Sequence, residues 1–190
     1  MWKKFDSLIN FSRLIPPKTK LYFDDSIFML NNHRLQARQA RLDDILAILE
    51  LEIKVYGYLP WSKEHFQSEL QKKTALYIVV YDVTNLIAVV GIHLNGENGH
   101  ITYLAVSPVW QKQGLGTYLL RLIINLAQKW HCVRLSLEVR KDNKIAQELY
   151  CRFGFVTKFV RPGYYQDVHQ DGLNMILDLP IKQKKGKNFG

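Results

Sequence analysis

The chain has 190 residues, 47% of them hydrophobic, and a formal charge of +9. That is enough apolar material for one domain with a real core and too little length for two. The only two cysteines, Cys132 and Cys151, form no C-x-x-C pair or Cys/His cluster, and no apolar run approaches the roughly 20 residues of a membrane span, which points to a reducing, cytoplasmic setting with no structural metal and no membrane contact. The charge lies at the ends. Residues 1–20 hold five Lys/Arg against Asp6 and residues 181–190 hold four Lys and no acid, so the 160 residues between them carry 17 bases against 16 acids. Such ends suit either an anionic partner such as RNA or plain solvation.

Residues 1–33 read as an amino-terminal extension. It opens with Met1-Trp2-Lys3-Lys4-Phe5, like an export signal, but Asp6, Asn10 and Arg13 interrupt the apolar region a signal requires. A helix-like piece, the breaker Pro16-Pro17 and extended segments at Leu21–Phe23 and Ile27–Leu30 follow, with Asn31-Asn32 as a hairpin turn. The main domain is read as 34–180 and the lysine-rich tail as 181–190. Leu42-Asp43-Asp44 opens an amphipathic helix to about Tyr56, and Ser62 caps a second helix to about Lys72. Ala75–Asp82, Leu86–Leu94 and Ile101–Val106 form an antiparallel meander, the last two joined by the turn Asn95-Gly96-Glu97-Asn98-Gly99. A helix from Tyr118 to Trp130, a period-2 strand Val133–Val139, a helix from about Asn143 to Arg152, and strands Phe155–Val160 and Leu173–Leu179 complete a mixed sheet.

Between the third meander strand and its helix lies Gln111-Lys112-Gln113-Gly114-Leu115-Gly116. Two residues without Cβ let backbone amides close on an anion, and the helix start adds unpaired N–H groups and a positive dipole end. The loop is not a P-loop, which needs Lys-Ser/Thr after its last glycine, nor a dinucleotide turn, whose third glycine would fall on Leu119. It is either a pyrophosphate cradle or an ordinary glycine loop before a helix. In the later strand, alternation places Arg134, Ser136, Glu138 and Arg140 on one face and Val133, Leu135, Leu137 and Val139 on the other.

This order of elements, with Q-x-x-G-x-G, Leu137-Glu138-Val139-Arg140, Asn143, Ala146, Leu149-Tyr150 and Gly154-Phe155, resembles the GCN5-related N-acetyltransferase (GNAT) superfamily over about Leu35–Leu179. Pro60-Trp61-Ser62 and Tyr164-Tyr165 are similar to its ribosomal-protein alanine N-acetyltransferases of the RimI type. The resemblance implies an α/β (α+β) GNAT fold: a mixed, mostly antiparallel sheet with helices on both faces and a V-shaped split between two parallel strands. It implies acetyl-CoA as cosubstrate, held by Leu104, Ala105 and Val106, by Lys112, Gln113, Gly114, Leu115, Gly116 and Thr117, and by Asn143 at the pantetheine end. It makes Glu138 the general base and Tyr150 the general acid, with Trp61, Tyr164 and Tyr165 on the acceptor side and the Val106 amide stabilising oxyanion charge. Lys112 stands where the family more usually has arginine, and Thr117 where it has a basic residue, so phosphate affinity rests more on amides.

Each role has a plainer counterpart: a solvent-paired Glu138, a Tyr150 that is core beside Ile145, Leu149 and Phe153, and aromatic residues that only pack loops. Glu97 and His100 are auxiliary proton acceptors or solvated loop groups. Cys151 is set aside as a nucleophile, because no histidine adjoins it in sequence and cysteine is commonly a small buried hydrophobe. The favoured function is acetylation of a protein α-amine, the alanine of a ribosomal protein, the basic ends being either plain solvated tails or a weak contact to ribosomal RNA. An α-amine titrates at about 7.7–8.0 and a lysine at about 10.4, which favours the former near neutrality. The alternatives are a GNAT acting on lysine or a small amine, and a non-catalytic acyl-CoA-binding or ribosome-associated module.

Overall fold

The computed structural model describes residues 20–180; the helix-like piece, Pro16-Pro17 and the lysine-rich end lie outside the described residues. Eight strands, β1 (Ser26–Leu30), β2 (His33–Gln39), β3 (Ala75–Asp82), β4 (Asn85–Asn95), β5 (Asn98–Val106), β6 (Arg134–Arg140), β7 (Val156–Tyr165) and β8 (Gln170–Asp178), form one sheet in the order β1-β2-β3-β4-β5-β6-β8-β7. Every neighbouring pair is antiparallel except β5 with β6. Among the described residues four α-helices accompany it: α1 (Ile45–Tyr56), α2 (Lys63–Gln71), α3 (Leu115–Lys129) and α4 (Lys144–Arg152).

The helices cover both faces because the central strands are apolar on both. In β3, Leu76, Ile78 and Val80 join one core with Leu115, Leu119, Leu120, Ile123 and Tyr150 from α3 and α4. Tyr77 and Val79, turned the other way by alternation, join a second core with Ile45, Ile48 and Leu51 of α1 and Phe66 of α2. The α3 residues recur at helical spacing, so one stripe is withdrawn from water, each fully buried aliphatic side chain contributing about 1.5–3 kcal/mol. Ser62 caps α2 by accepting from the His65 amide at 3.2 Å, and Gly57 ends α1 in the left-handed conformation that a side chain would resist.

Several boundaries differ from the sequence reading, β5 beginning at Asn98 and β8 at Gln170, each three residues early. Helix α3 begins at Leu115, three residues before Tyr118, because left-handed Gly114 already serves as its N-cap. Strand β7 runs on to Tyr165, its register slipping between Arg161 and Tyr165 around Pro162 and left-handed Gly163, so Tyr164-Tyr165 sit on a strand end rather than in a connection. Leu21 and Phe23 are buried in the α3-side core without forming a strand. Residues 26–33, grouped with the extension, supply β1 and the turn onto β2 at the edge of the same sheet.

Strands β5 and β6 pair only from Asn98 with Arg134 to Ile101 with Leu137. Beyond that point β5 stays with β4 to Val106 while β6 stays with β8 to Arg140, so the two part into a wedge. A bulge starts the parting. Gly91 pairs with Tyr103 and Ile92 with Ile101, leaving Thr102 unopposed, and the chain switches faces there: Ile101 lies in the α3-side core, Tyr103 and Ala105 in the α1-side core. Gly91 is required beside the bulge, since a Cβ there would stand 2.4 Å from Cε1 of Tyr77.

Candidate active site

The wedge offers unused backbone groups. Ser107 N–H donates to Ile87 O at 2.8 Å, which makes that pair the hydrogen-bonded kind, so alternation turns the N–H and C=O of Val106 and Leu104 away from β4 and into the wedge. The Val106 carbonyl accepts from Gln111 Nε2 at 3.0 Å. At the wedge's mouth Lys112 (φ 57°) and Gly114 (φ 93°) bend the loop through left-handed conformations. No side chain caps α3, which leaves the amides of its first turn for an outside acceptor. Gly116 faces Leu149 of α4 and Val106 of β5, a Cβ there lying 3.4 Å from Leu149 Cδ2 and 4.0 Å from Val106 Cγ2, so the start of α3 packs against both elements. Exposed Lys112 and half-buried Thr117 flank these amides. An extended acyl chain ending in a pyrophosphate fits this set: a strand edge for its amides, a helix start for its charge.

Glu138 lies one residue past the last β5–β6 pair, on the half-buried face of a strand that alternates as the sequence predicts. Its carboxylate accepts from Asn174 Nδ2 at 3.0 Å, His100 Nε2 stands 3.1 Å from its other oxygen, and Arg161 Nε is 3.4 Å away. His100 Nδ1 in turn lies 2.8 Å from Ser136 Oγ. Burial pushes the Glu138 pKa up, but the His100 hydrogen bond and charge, the Asn174 hydrogen bond and the Arg161 charge outweigh it, so the carboxyl sits below its usual range. Asn174 and Arg161 were missed by the sequence reading; the signal for Asn174 was a lone amide inside the apolar run of β8.

Tyr150 is the buried residue of α4, its ring 5.9 Å from Phe155, and burial raises its phenol far above the ordinary value, which keeps it protonated. Ile145 on the same helix is exposed, so the apolar set suggested around Tyr150 does not include it. Asn143 spends its side-chain oxygen capping α4 on the Ala146 amide at 3.1 Å. Tyr164 and Tyr165 meet edge to face at 5.0 Å, and the Glu138 charge helps raise both phenols, after burial. Trp61 is buried against His65, Phe66 and Tyr103, yet it also lines a groove of about 480 Å³ with Tyr58, Pro60 and Asp167. Glu97 lies exposed in the turn at the opposite end of β5 from the wedge. Cys151 is exposed, contrary to the burial argued for it; buried Cys132 fits that argument instead, its thiol pushed up to about 11 by burial and then by the Glu97 charge.

A family model described as "Acetyltransferase (GNAT) family" matches residues 45–155, the span that contains the wedge, the loop and α4. The chain belongs to the GNAT family. It is therefore an acetyl-CoA-dependent N-acetyltransferase, with the mixed sheet and parallel β5–β6 pair of that fold. A Bacillus subtilis (strain 168) relative is 36% identical over 139 residues, covering 73% of this chain and 91% of its own. The ribosomal protein bS18-alanine N-acetyltransferase of Escherichia coli (strain K12) is 31% identical over 140 residues, covering 73% and 92%. The crystal structure of the Escherichia coli ribosomal-protein-S18-alanine N-acetyltransferase superposes on this GNAT chain with a TM-score of 0.71 at 27% identity, covering 82% of this chain and 99% of that one. Among the described residues no helix is long and apolar enough to cross a membrane.

Proposed function

We propose that this acetyltransferase moves acetyl from acetyl-CoA to the α-amino group of a protein, the terminal alanine of a ribosomal protein. The observation that carries the reading is Glu138: a nearly buried carboxylate held by three partners where the wedge opens, close enough to Tyr164 and Tyr165 to act on both phenols. The relatives named for alanine acetylation of bS18 support the acceptor.

In this reading the N–H and C=O of Leu104 and the N–H of Val106 meet the pantetheine arm, while Ala105, paired with Val89 of β4, holds the strand edge in place. Lys112, Gln113, Gly114, Leu115, Gly116 and Thr117 take the pyrophosphate, and the α4 start at Asn143 closes the far side. The neutral amine attacks the thioester carbonyl, forming the C–N bond, while the Val106 amide stabilises the developing oxyanion. The amine's proton passes to Glu138, directly or through water, and as the C–S bond breaks the thiolate takes a proton from Tyr150. The Trp61 groove and the Tyr164-Tyr165 pair hold the peptide. That groove contains Asp167, while burial lowers the pKa of its His65, so its charge near neutrality suits a cationic chain end.

The test follows thiol release with acetyl-CoA and an alanine-starting peptide, beside a polyamine and a peptide whose only amine is an internal lysine. The alanine peptide is expected to be preferred, and Glu138→Gln to lower kcat/KM by about a hundredfold or more. Unchanged turnover in the variant removes Glu138 from its role; preference for the polyamine or lysine reassigns the acceptor.

A further inference from the structure

The family match starts at residue 45, yet residues 26–33 reach directly onto the glycine loop. Asn31 and Asn32 are both left-handed (φ 47° and 66°), the turn that lets two strands meet across two residues with matching twist. This turn places the Asn31 amide beside the loop, where Nδ2 donates to the Gln113 carbonyl at 3.2 Å. Leu30 Cδ1 lies 3.7 Å from where a Gly114 Cβ would stand. Phe28 stacks on Tyr118 of the first α3 turn at 3.9 Å and 10°, and the Tyr118 hydroxyl interacts with Ser26. On the other flank His33 meets the ring of Trp110 edge-on at 4.8 Å. The hairpin thus grips the loop before, within and after its two left-handed residues.

The contact at Gln113 fixes a direction. A trans peptide plane points its C=O and the following N–H to opposite sides, so a Gln113 carbonyl bound to the hairpin turns the Gly114 N–H away from it. The hairpin consumes an acceptor, which would repel an anion, and leaves a donor. We propose that the β1–β2 hairpin is a brace for the coenzyme loop, and that Asn31 is a positioning residue setting the Gln113–Gly114 plane so that loop amides meet the coenzyme's pyrophosphate. The proposal rests on the loop being the pyrophosphate site. It predicts that the brace matters for the phosphate half of the coenzyme and not for the thioester half.

Asn31→Gly removes the amide while suiting the left-handed turn, and Asn31→Asp keeps the shape but replaces the donor with a carboxylate. Calorimetry with coenzyme A, with 3′,5′-ADP and with pantetheine reads the coenzyme halves separately. Both variants are expected to bind coenzyme A and 3′,5′-ADP about five- to tenfold more weakly, Asp the more so, with pantetheine affinity retained. In turnover, KM for acetyl-CoA rises by the same factor while kcat and KM for the alanine peptide hold. Affinities within twofold of the native chain overturn the brace, as does an equal loss for pantetheine and 3′,5′-ADP, which marks general damage. Native protein that binds no coenzyme A overturns the parent reading as well; native binding with unaffected variants sinks the brace alone.

Discussion

Glu138 keeps its charge through the working range because His100, Asn174 and Arg161 hold its pKa below the ordinary carboxylate value. In the proposed mechanism the ionisation that limits the rate near neutrality then belongs to the acceptor amine, at about 7.7–8.0. We expect kcat/KM to rise with pH to one midpoint there, to shift when the peptide's amine pKa is changed, and to stay in place in Glu138→Gln while the plateau drops. A midpoint that follows the variant instead assigns the ionisation to the protein. Glu52 shows the opposite behaviour. It is wholly buried on α1, no partner meets hydrogen-bond geometry at either oxygen, and burial pushes it up to about 7 against the pull of Tyr103 and the Trp61 backbone. The folded pKa exceeds the unfolded one, so between roughly pH 4.5 and 7 the native state binds a proton the unfolded chain has released, and stability falls as pH rises through that window. The loss is bounded at about 3 kcal/mol. Chemical denaturation of Glu52→Gln should therefore show a variant whose advantage over the native chain grows by about 2–3 kcal/mol from pH 4.5 to pH 8; a gap that ignores pH contradicts a carboxyl buried in its neutral form.

Among the elements, the bulge at Thr102 turns an ordinary meander into an open wedge, and the packing beneath it is tight. Tyr77 fills the space a Gly91 Cβ would need, and its hydroxyl bridges Glu69 at 3.2 Å and Thr102 at 3.1 Å. A fully buried, doubly held ring has little freedom to withdraw, so Gly91→Ala should cost about 3 kcal/mol in denaturant unfolding and weaken coenzyme A binding together. Adding Tyr77→Leu should return part of both, and strictly additive losses would separate the bulge from the ring. Strands such as β3 and β6 were legible because β-branched runs and strict alternation report burial residue by residue. The Ser62 cap and the Asn31-Asn32 turn were legible because one local bond or one pair of dihedral angles decides them. The Thr102 bulge was not, because burial alternates without interruption from His100 to Val106 while the face switches through a register with β4 that no local pattern encodes. For the same reason Glu138 was placed on its face by sequence, but His100, Asn174 and Arg161 converge on it from three other strands, β5, β8 and β7.

Across the whole molecule the charge is divided: 17 bases against 16 acids in the 160 residues between the two basic ends, and four lysines with no acid in residues 181–190. A nearly neutral enzyme body has little long-range attraction for a ribosomal particle, whereas a run of lysines gains from releasing the counterions of RNA phosphates. In the proposed function the active site, by contrast, reads only the peptide end. The two functions should then separate. Removing residues 181–190 should leave kcat/KM for a short alanine-starting peptide unchanged, since that peptide carries no phosphate for the tail to meet. For a ribosomal acceptor, affinity measured from low to high salt should lose steepness by about 3 in the slope of log K against log salt, four lysines at about 0.7 each on single-stranded RNA. An unchanged slope would make the tail a solvated end and leave acceptor choice to the Trp61 groove and the Tyr164-Tyr165 pair. Equal loss on peptide and ribosomal particle would tie the tail to the catalytic body instead.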